Sequence, residues 1–364
     1  MTKAAELAKM GEVLSNSQIG RKNIIINGAM QISQRSTSVS DLGGGSGGYQ
    51  TLDRFRIAMG ATSAGRYTMS QSAVTDLEGF SNALKIDCTT ADTSIAAGEA
   101  LIIQQRLEGF NLQSLKASST STRAFTLSFY AKSNASRAIA SEINFTNGTN
   151  RQISKLHTIG TSWGRYTMTV PAASSTQIDN DNSHEGDLNF WIHAGSTYSS
   201  GTINDDALDS ITNANRAVGI GSIFSSTDNT LEITGIQLEV GSQATPFEHR
   251  TFGEELELCK RYLCQVSEAS DNTPVHLVGY NQGSGACRYS LHTEMRAAPT
   301  VTMTNITILH GAGTEVAISS VDSQSTQGSI TSFRANPASS ITSGDAVIFY
   351  TSGTDASIRF DAEL

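Results

Sequence analysis

Residues 124–132 constrain this chain more than any other stretch. Phe125, Leu127, Phe129 and Ala131 alternate strictly with Thr126, Ser128, Tyr130 and Lys132. A period of two places the two sets on opposite sides of a strand, so the apolar side needs a second layer to cover it. Similar stretches recur. Arg54–Met59, Gly65–Ser70, Asn82–Cys88 and Leu101–Leu107 come before it. Ile139–Phe145, Gln152–Thr158, Gly164–Val170, Leu188–His193, Ala217–Phe224 and Leu231–Val240 come after. Short strands at this spacing predict an all-β domain, and a two-sheet jelly-roll β-sandwich holds that number. A surplus of Ser, Thr, Asn and Gly, with only 5 prolines, suits strands joined by polar turns.

Leu231–Cys264 joins two β-rich segments. Leu231 and Ile233 share one face, the phase slips by one residue, and Ile236, Leu238 and Val240 carry it on. Gly235 at the slip predicts a bulge. Gly241 and Pro246 end the strand. Thr251 and Glu254 have capping-box spacing, so a helix should start there. Phe252, Leu256, Cys259 and Leu263 then fall on one helical face. Strand, tight linker and short amphipathic helix predict a hinge; an ordinary connection within one larger domain is the alternative. After it, His276–Tyr280 and Cys287–Thr293 frame a hairpin. Pro299–Thr304, Thr307–His310, Glu315–Val321, Ser329–Ala335, Ala346–Thr351 and Ser357–Ala362 then predict a smaller antiparallel β-sandwich. The expected layout is an N-terminal helix in 1–21, a jelly roll in 22–247, a linker helix in 248–264 and the small sandwich in 265–364.

At the N-terminus, Ala4, Leu7, Met10 and Leu14 lie three and four apart, which predicts a helix over residues 2–15. So short a helix is marginal alone in water and needs a partner. That partner is a set of identical subunits, another protein, or the helix's own domain. Ile24–Ile26 predicts a short strand, Asn27-Gly28 a turn, and Met30 with Ile32 a second strand. Leu42–Gly48 is a glycine-rich loop, but no Lys-Ser/Thr follows it, so it is not a phosphate cradle. Residues 174–186 and 198–215 read as long surface loops.

A net charge of −9 without a Lys/Arg cluster argues against binding nucleic acid or anionic lipid. No apolar run reaches membrane-spanning length. Lys3, Glu6, Lys9 and Glu12 interrupt any signal-peptide core, so synthesis in a cytosol is expected. Cys88, Cys259, Cys264 and Cys287 form no CxxC pair and read as buried thiols, with a Cys264–Cys287 pairing left open. GxSxG spacing occurs at Gly44–Gly48 and Gly160–Gly164, but neither sits between a strand and a helix as a nucleophile elbow must; HExxH is absent, and His157, His193, His249, His276, His292 and His310 read as structural or surface residues.

Four stretches carry a resemblance: RKNIIINGAMQISQR, TLDRFRI with Asp53-Arg54-Phe55, ITGIQLEVGSQATPFEHRTFGEELELCKRY, and the C-terminal SIRFDAEL. In that order they resemble tail-fibre and fibre-like virion proteins of tailed bacteriophages, marine phages in particular. NIIINGAMQ, FTLSFYAKSN, TSWGRYTMTVP and ITGIQLEV are also similar to jelly-roll carbohydrate-binding modules. The resemblance implies a non-enzymatic virion protein, made in the host cytoplasm. It implies a homotrimer, docked on other tail or capsid proteins through the N-terminal helix and recognising a host-surface glycan. A structural or decorating role between virion proteins is the alternative, and a polysaccharide depolymerase the second. Many such modules hold a calcium near the first and last strands, where an acidic residue follows Asn-Gly. Here Ala29 and Met30 take those places, so no metal and no cofactor is expected.

Sugar recognition needs an aromatic face for the pyranose and polar groups to orient it. Trp163, Tyr198, Tyr49 and Trp191 are the candidates, although Trp191 lies in an apolar run that suits a core. Asp179, Asp181, Glu185 and Asp187, with His184, supply close carboxylates of the kind glycoside hydrolysis uses. A solvated face or a loose cation site is the plainer reading of that loop.

Overall fold

The computed structural model describes Lys3 and residues 21–45, 47–174, 176–268, 274–281, 287–290, 294–310, 313–323, 332–339, 341 and 346–364. Ala4, Leu7, Met10 and Leu14 of the expected N-terminal helix lie outside the described residues. The chain divides into two units, Met1–Glu255 with Leu364, and Leu256–Glu363. Among the described residues, no helix is long and apolar enough to cross a membrane.

The first unit is a β-sandwich of jelly-roll type. Its strands are β1 (Ser38–Gly43), β2 (Gly48–Tyr49), β3 (Arg56–Met59), β4 (Arg66–Ala73), β5 (Asn82–Thr90), β6 (Ala100–Glu108), β7 (Lys116–Ser118) and β8 (Ser121–Thr122). They continue with β9 (Phe125–Ser133), β10 (Arg137–Phe145), β11 (Arg151–Ile159), β12 (Gly164–Val170), β13 (Ala173–Ser174), β14 (His184–Ala194), β15 (Asp209–Ser210) and β16 (Thr230–Val240). A six-stranded sheet runs β1-β4-β5-β16-β9-β12 and a seven-stranded sheet runs β15-β11-β10-β14-β6-β3-β2. Phe125, Leu127, Phe129 and Ala131 of β9 are buried between them with Phe145, Phe190, Leu188, Tyr67 and Ile233. The alternation in β9 therefore does what its period demands. β16 loses register between Thr234 and Gln237, and Gly235 there has φ +60°, so the bulge is where the phase slips.

Several local expectations change. Ile24–Ile26 is not a ladder strand. It is clamped along β16 instead, with the Ile24 amide donating to Leu238 O (2.9 Å) and the Asn23 side chain to Ile236 O (3.1 Å). Ser38–Gly43 is a strand, although its residues show no alternation. Ala217–Phe224 is not a strand: it is irregular and ends in a 3-10 turn over Ile223–Ser225, in which the Phe224 amide donates to Ser222 Oγ (3.0 Å). Residues 198–215 are not a free surface loop. A short helix (Ser196–Ser199) opens a strap in which Tyr198, Ile203 and Ile220 pack with Trp191, Ile102 and Ala140.

The helix after the linker is Phe252–Lys260. Its capping box is formed: the Thr251 amide donates to Glu254 Oε2 (3.0 Å) and the Glu254 amide to Thr251 Oγ1 (3.3 Å). The expected apolar face is only partly used. Phe252 is 60% exposed, while Cys259 is buried. Leu263 belongs not to the helix but to the next strand.

The second unit is antiparallel throughout. Its strands are β17 (Leu263–Glu268), β18 (Pro274–Asn281), β19 (Cys287–Ser290), β20 (Thr300–Thr304), β21 (Ile306–His310), β22 (Thr314–Ser323), β23 (Ser332–Pro337), β24 (Ala346–Thr351) and β25 (Ala356–Asp361). β17, β25 and β20 form a three-stranded sheet, and β18-β19-β23-β22-β21-β24 close into a barrel. Closure removes the free edges that two small open sheets would keep. Ile308, Val347, Phe349, Ile358 and Phe360 are in its core. The Cys287 side chain is outside the described residues.

Two buried histidines give the first unit an acid limit. His157 lies in the core, its Nε2 2.8 Å from Ser141 Oγ and its ring edge-on to Phe129. Burial pushes its pKa down to about 4. Burial lowers His193 as well, against the opposing pull of Glu99, 3.1 Å from Nε2. The unfolded chain takes up these protons near pH 6.5 and the folded chain resists them, so stability is full above that pH and lost as pH falls. His157 alone is expected to cost about 2.5 kcal/mol by pH 4.5. Urea midpoints at neutral pH and at pH 4.5 measure this, and His157→Gln should flatten the slope. An unchanged slope in that variant would remove His157 as its source.

Candidate functional site

The outward face of the seven-stranded sheet carries two kinds of row. Ala58, Ile102, Trp191 and Ala140 stand opposite one another across β3, β6, β14 and β10. This apolar row lies beneath the strap. The next row is wholly polar. Tyr49 pairs with Arg56, Arg56 with Gln104, Gln104 with Asn189, Asn189 with Glu142, and Glu142 with Ser154. Directly opposed residues project from the same side of a sheet, so these side chains meet.

They meet as a directed hydrogen-bond chain. Arg56 donates to Gln104 Oε1 (3.0 Å), Gln104 Nε2 to Asn189 Oδ1 (2.9 Å), and Asn189 Nδ2 to Glu142 Oε1 (3.1 Å). Glu142 is where the chain ends. Its carboxylate also accepts from Trp191 Nε1 (2.8 Å) and from Arg216 through Nε (2.9 Å) and a terminal nitrogen (2.6 Å). Glu142 is 0% exposed. A buried carboxylate survives only when paired and hydrogen-bonded, and the Arg216 fork supplies both. Burial alone would lower the pKa of Arg216, but the hydrogen bonds and charge of Glu142 raise it on balance.

Arg216 also fastens the strap. Its guanidinium lies 4.8 Å from the Trp191 ring centre, and Tyr198 packs on the same indole at 5.1 Å. The strap closes on itself through Ala217 N to Tyr198 O (2.9 Å) and Gly201 N to Ala214 O (2.9 Å). The Asn204 side chain donates to Gln152 O (3.0 Å), and the Ser154 amide to Asn204 O (2.7 Å). The floor is thus buried and preorganised. Tyr198 and Arg216 form a half-buried rim on one side, and Tyr49 and Arg56 on the other.

Three of the four aromatic candidates come to this face. Trp191 is 1% exposed and is floor, not platform, as its apolar run suggests. Tyr198 is the accessible ring above it. Tyr49 has Arg35 and Arg56 against its ring, 5.0 and 5.8 Å from the centroid. Trp163 is elsewhere, beside the outward face of the six-stranded sheet. It is half-buried, donates from Nε1 to Asp76 Oδ1 (2.8 Å), and has Lys132 Nζ 4.9 Å from its ring centre. The Trp163 hydrogen bond, then that of Lys132, holds Asp76 below the usual carboxylate range. Arg56, Gln104, Glu142, Asn189 and Arg216 carry no sequence signal of their own. His184 Nε2 lies 2.8 Å from Asp187 Oδ1, so those two members of the acidic loop serve each other.

No protein-family model matches the chain, and no curated protein matches it by sequence. Among solved structures it is similar to the enzymatically active domain of tailspike protein 4 of bacteriophage CBA120, at 14% identity and TM-score 0.29, over 60% of this chain and 21% of that one. It is similar to the family 11 carbohydrate-binding module of a Clostridium thermocellum cellulosomal cellulase, at 13% identity and TM-score 0.28, over 57% of this chain and 97% of that one. A xylan-binding domain from Paenibacillus barcinonensis gives 8% identity and TM-score 0.29, over 61% and 96%. The chain spans about a fifth of the tailspike domain's length. Likenesses of this size carry no argument about function or site residues.

Proposed function

We propose that the first unit recognises a glycan on the outward face of its seven-stranded sheet. The observation that carries this reading is the polar row from Arg56 to Glu142, lying between Tyr198 and Tyr49. A sugar presents hydroxyls that both donate and accept, and apolar ring faces. The half-buried guanidinium groups of Arg56 and Arg216 and the rings of Tyr198 and Tyr49 match both, and the buried amide and carboxylate line beneath holds them in place. Because the floor is already hydrogen-bonded, little ordering cost remains for binding.

The whole chain is then a non-enzymatic phage tail fibre or related virion appendage that adsorbs to a host surface. The four sequence stretches and the two successive β units support this reading. A trimer, which the sequence resemblance implies, would multiply weak sugar contacts by avidity. Adsorption of the purified protein to host cells, with competing surface polysaccharide, tests it. Saturable binding that the polysaccharide competes away supports host recognition. Absence of binding by folded protein moves the reading to a structural role between virion proteins. Release of reducing sugar in the same mixture would make it a depolymerase.

The two aromatic positions separate the two faces. Tyr198→Ala should weaken glycan affinity about tenfold, since an aromatic contact contributes roughly 1 kcal/mol beyond its area. Trp163→Ala should leave affinity unchanged. The reverse pattern, read by calorimetry on a competing oligosaccharide, would place the site on the six-stranded sheet.

A further inference from the structure

We propose that the loop leading into β14 is a Ca2+ site held by Asp179, Asp181 and Glu185. One carboxylate oxygen from each lies within 4.8 Å of the others. The acidic cluster alone would not assign a ligand. The deciding observation is Glu185, which is 1% exposed: the Asn147 side chain and the Asp179 backbone reach its carboxylate, but its Oε2 has no hydrogen-bond partner. A buried carboxylate oxygen without a donor is costly, and two further carboxylates beside it add repulsion. Among the described residues no Lys or Arg forms an ion pair with any of the three. A cation between them supplies the missing partner and removes the repulsion together.

The other two carboxylates are already aimed. Gln177 Nε2 and Asn147 Nδ2 donate to the two oxygens of Asp179 (3.0 and 2.9 Å). Those bonds keep its carboxyl below the ordinary range, Gln177 most strongly. The Ser183 amide and hydroxyl donate to the two oxygens of Asp181 (2.9 and 3.1 Å). Such outer partners orient ligands without using up their remaining lone pairs. The backbone is pinned from outside the loop, by Phe110 N to Asp181 O (2.8 Å) and Gln113 Nε2 to Asp179 O (2.7 Å).

The donor set names the ion. Three carboxylates and no imidazole or thiolate select a hard cation over zinc or copper. Ligands drawn from an irregular loop suit the loose coordination of Ca2+ better than the strict octahedron of Mg2+. This place is unrelated to the Asn27-Gly28 turn, where Ala29 and Met30 offer no carboxylate.

The test uses the full chain, stripped with EDTA and titrated with CaCl2 by calorimetry, with thermal melts in parallel. The expected result is one Ca2+ per chain and a Tm increase of roughly 5 °C at saturation. Asp181→Asn should abolish both. Glu185→Gln should melt at or above the wild type in EDTA, because one of the three mutually repelling charges is gone, and should gain nothing from calcium. Absence of heat and of a Tm shift in the wild type overturns the proposal without any variant. So does an undiminished calcium response in Glu185→Gln.

Discussion

Glu142→Ala is expected to destabilise the first unit by about 3–5 kcal/mol, the scale for stripping one partner from a buried ion pair. The substitution leaves the Arg216 guanidinium, Trp191 Nε1 and Asn189 Nδ2 facing a cavity with no acceptor. Arg216 loses its reason to lie over Trp191, so the strap should loosen with it. Equilibrium unfolding in guanidinium measures the loss, and intrinsic tryptophan emission should shift towards that of solvent-exposed indole. Arg216→Ala should be nearly as damaging. The double variant should cost well under the sum of the two, because both singles break one network. A Glu142→Ala protein within about 1 kcal/mol of wild type would mean the carboxylate is dispensable to the floor, and the proposed recognition face would lose its anchor.

Asn27→Ala should come close behind, at about 3 kcal/mol, since the Ile32 amide and the Asp53 carbonyl each lose a buried hydrogen bond worth roughly 1–3 kcal/mol, while Ile32 O keeps its bond from the Asp53 amide (3.1 Å). Asn27 is fully buried at φ +61°, in the left-handed region that Asn tolerates better than Ala. Its Nδ2 donates to Ile32 O (2.8 Å) and Asp53 O (3.0 Å), and its Oδ1 accepts from Ile32 N (2.9 Å). One side chain thus ties the opening segment to the Asp53-Arg54-Phe55 block. The same unfolding curves measure the effect. Asn27→Asp is the sharper control: it keeps the acceptor and the backbone preference but turns both donated bonds into a buried carboxylate facing two carbonyl oxygens, so at neutral pH it should be at least as damaging as Ala. An Asp variant as stable as wild type would show that the φ angle, not the amide, is what matters there.

Much of the framework was legible from local pattern. β9 announces itself because its period sets its faces. The bulge at Gly235 follows from a phase slip, and the helix at Phe252 from a Thr-Glu pair three residues apart. The two sequence blocks NGAM and LDRF are joined by Asn27, which a reading of each block alone does not reveal. Strand β1 was hidden because its residues, SVSDLG, have no alternation, and its pairing with β4 supplies what they lack. Residues 198–215 of the strap read as a polar loop because their apolar members, Tyr198 and Ile203, follow neither a period of two nor one of 3.6, and Ile220 falls in a stretch that reads as a strand.

The site was legible only as residue types. Aromatics flanked by polar residues could be picked out, and Tyr49, Trp191 and Tyr198 do converge on one face. Trp163, chosen by the same reasoning, does not. The residues between them could not be found. Glu142, Asn189 and Gln104 occupy positions where alternation says outward, and outward is normally solvent. They are buried instead, and Glu142's charge partner is Arg216, which lies in the strap far along the chain. The sequence by itself determined which side of each strand is apolar, because that depends only on a residue and its near neighbours. Tertiary structure alone decided what covers the other side, because strand order and the path of the strap bring together side chains that no local period relates.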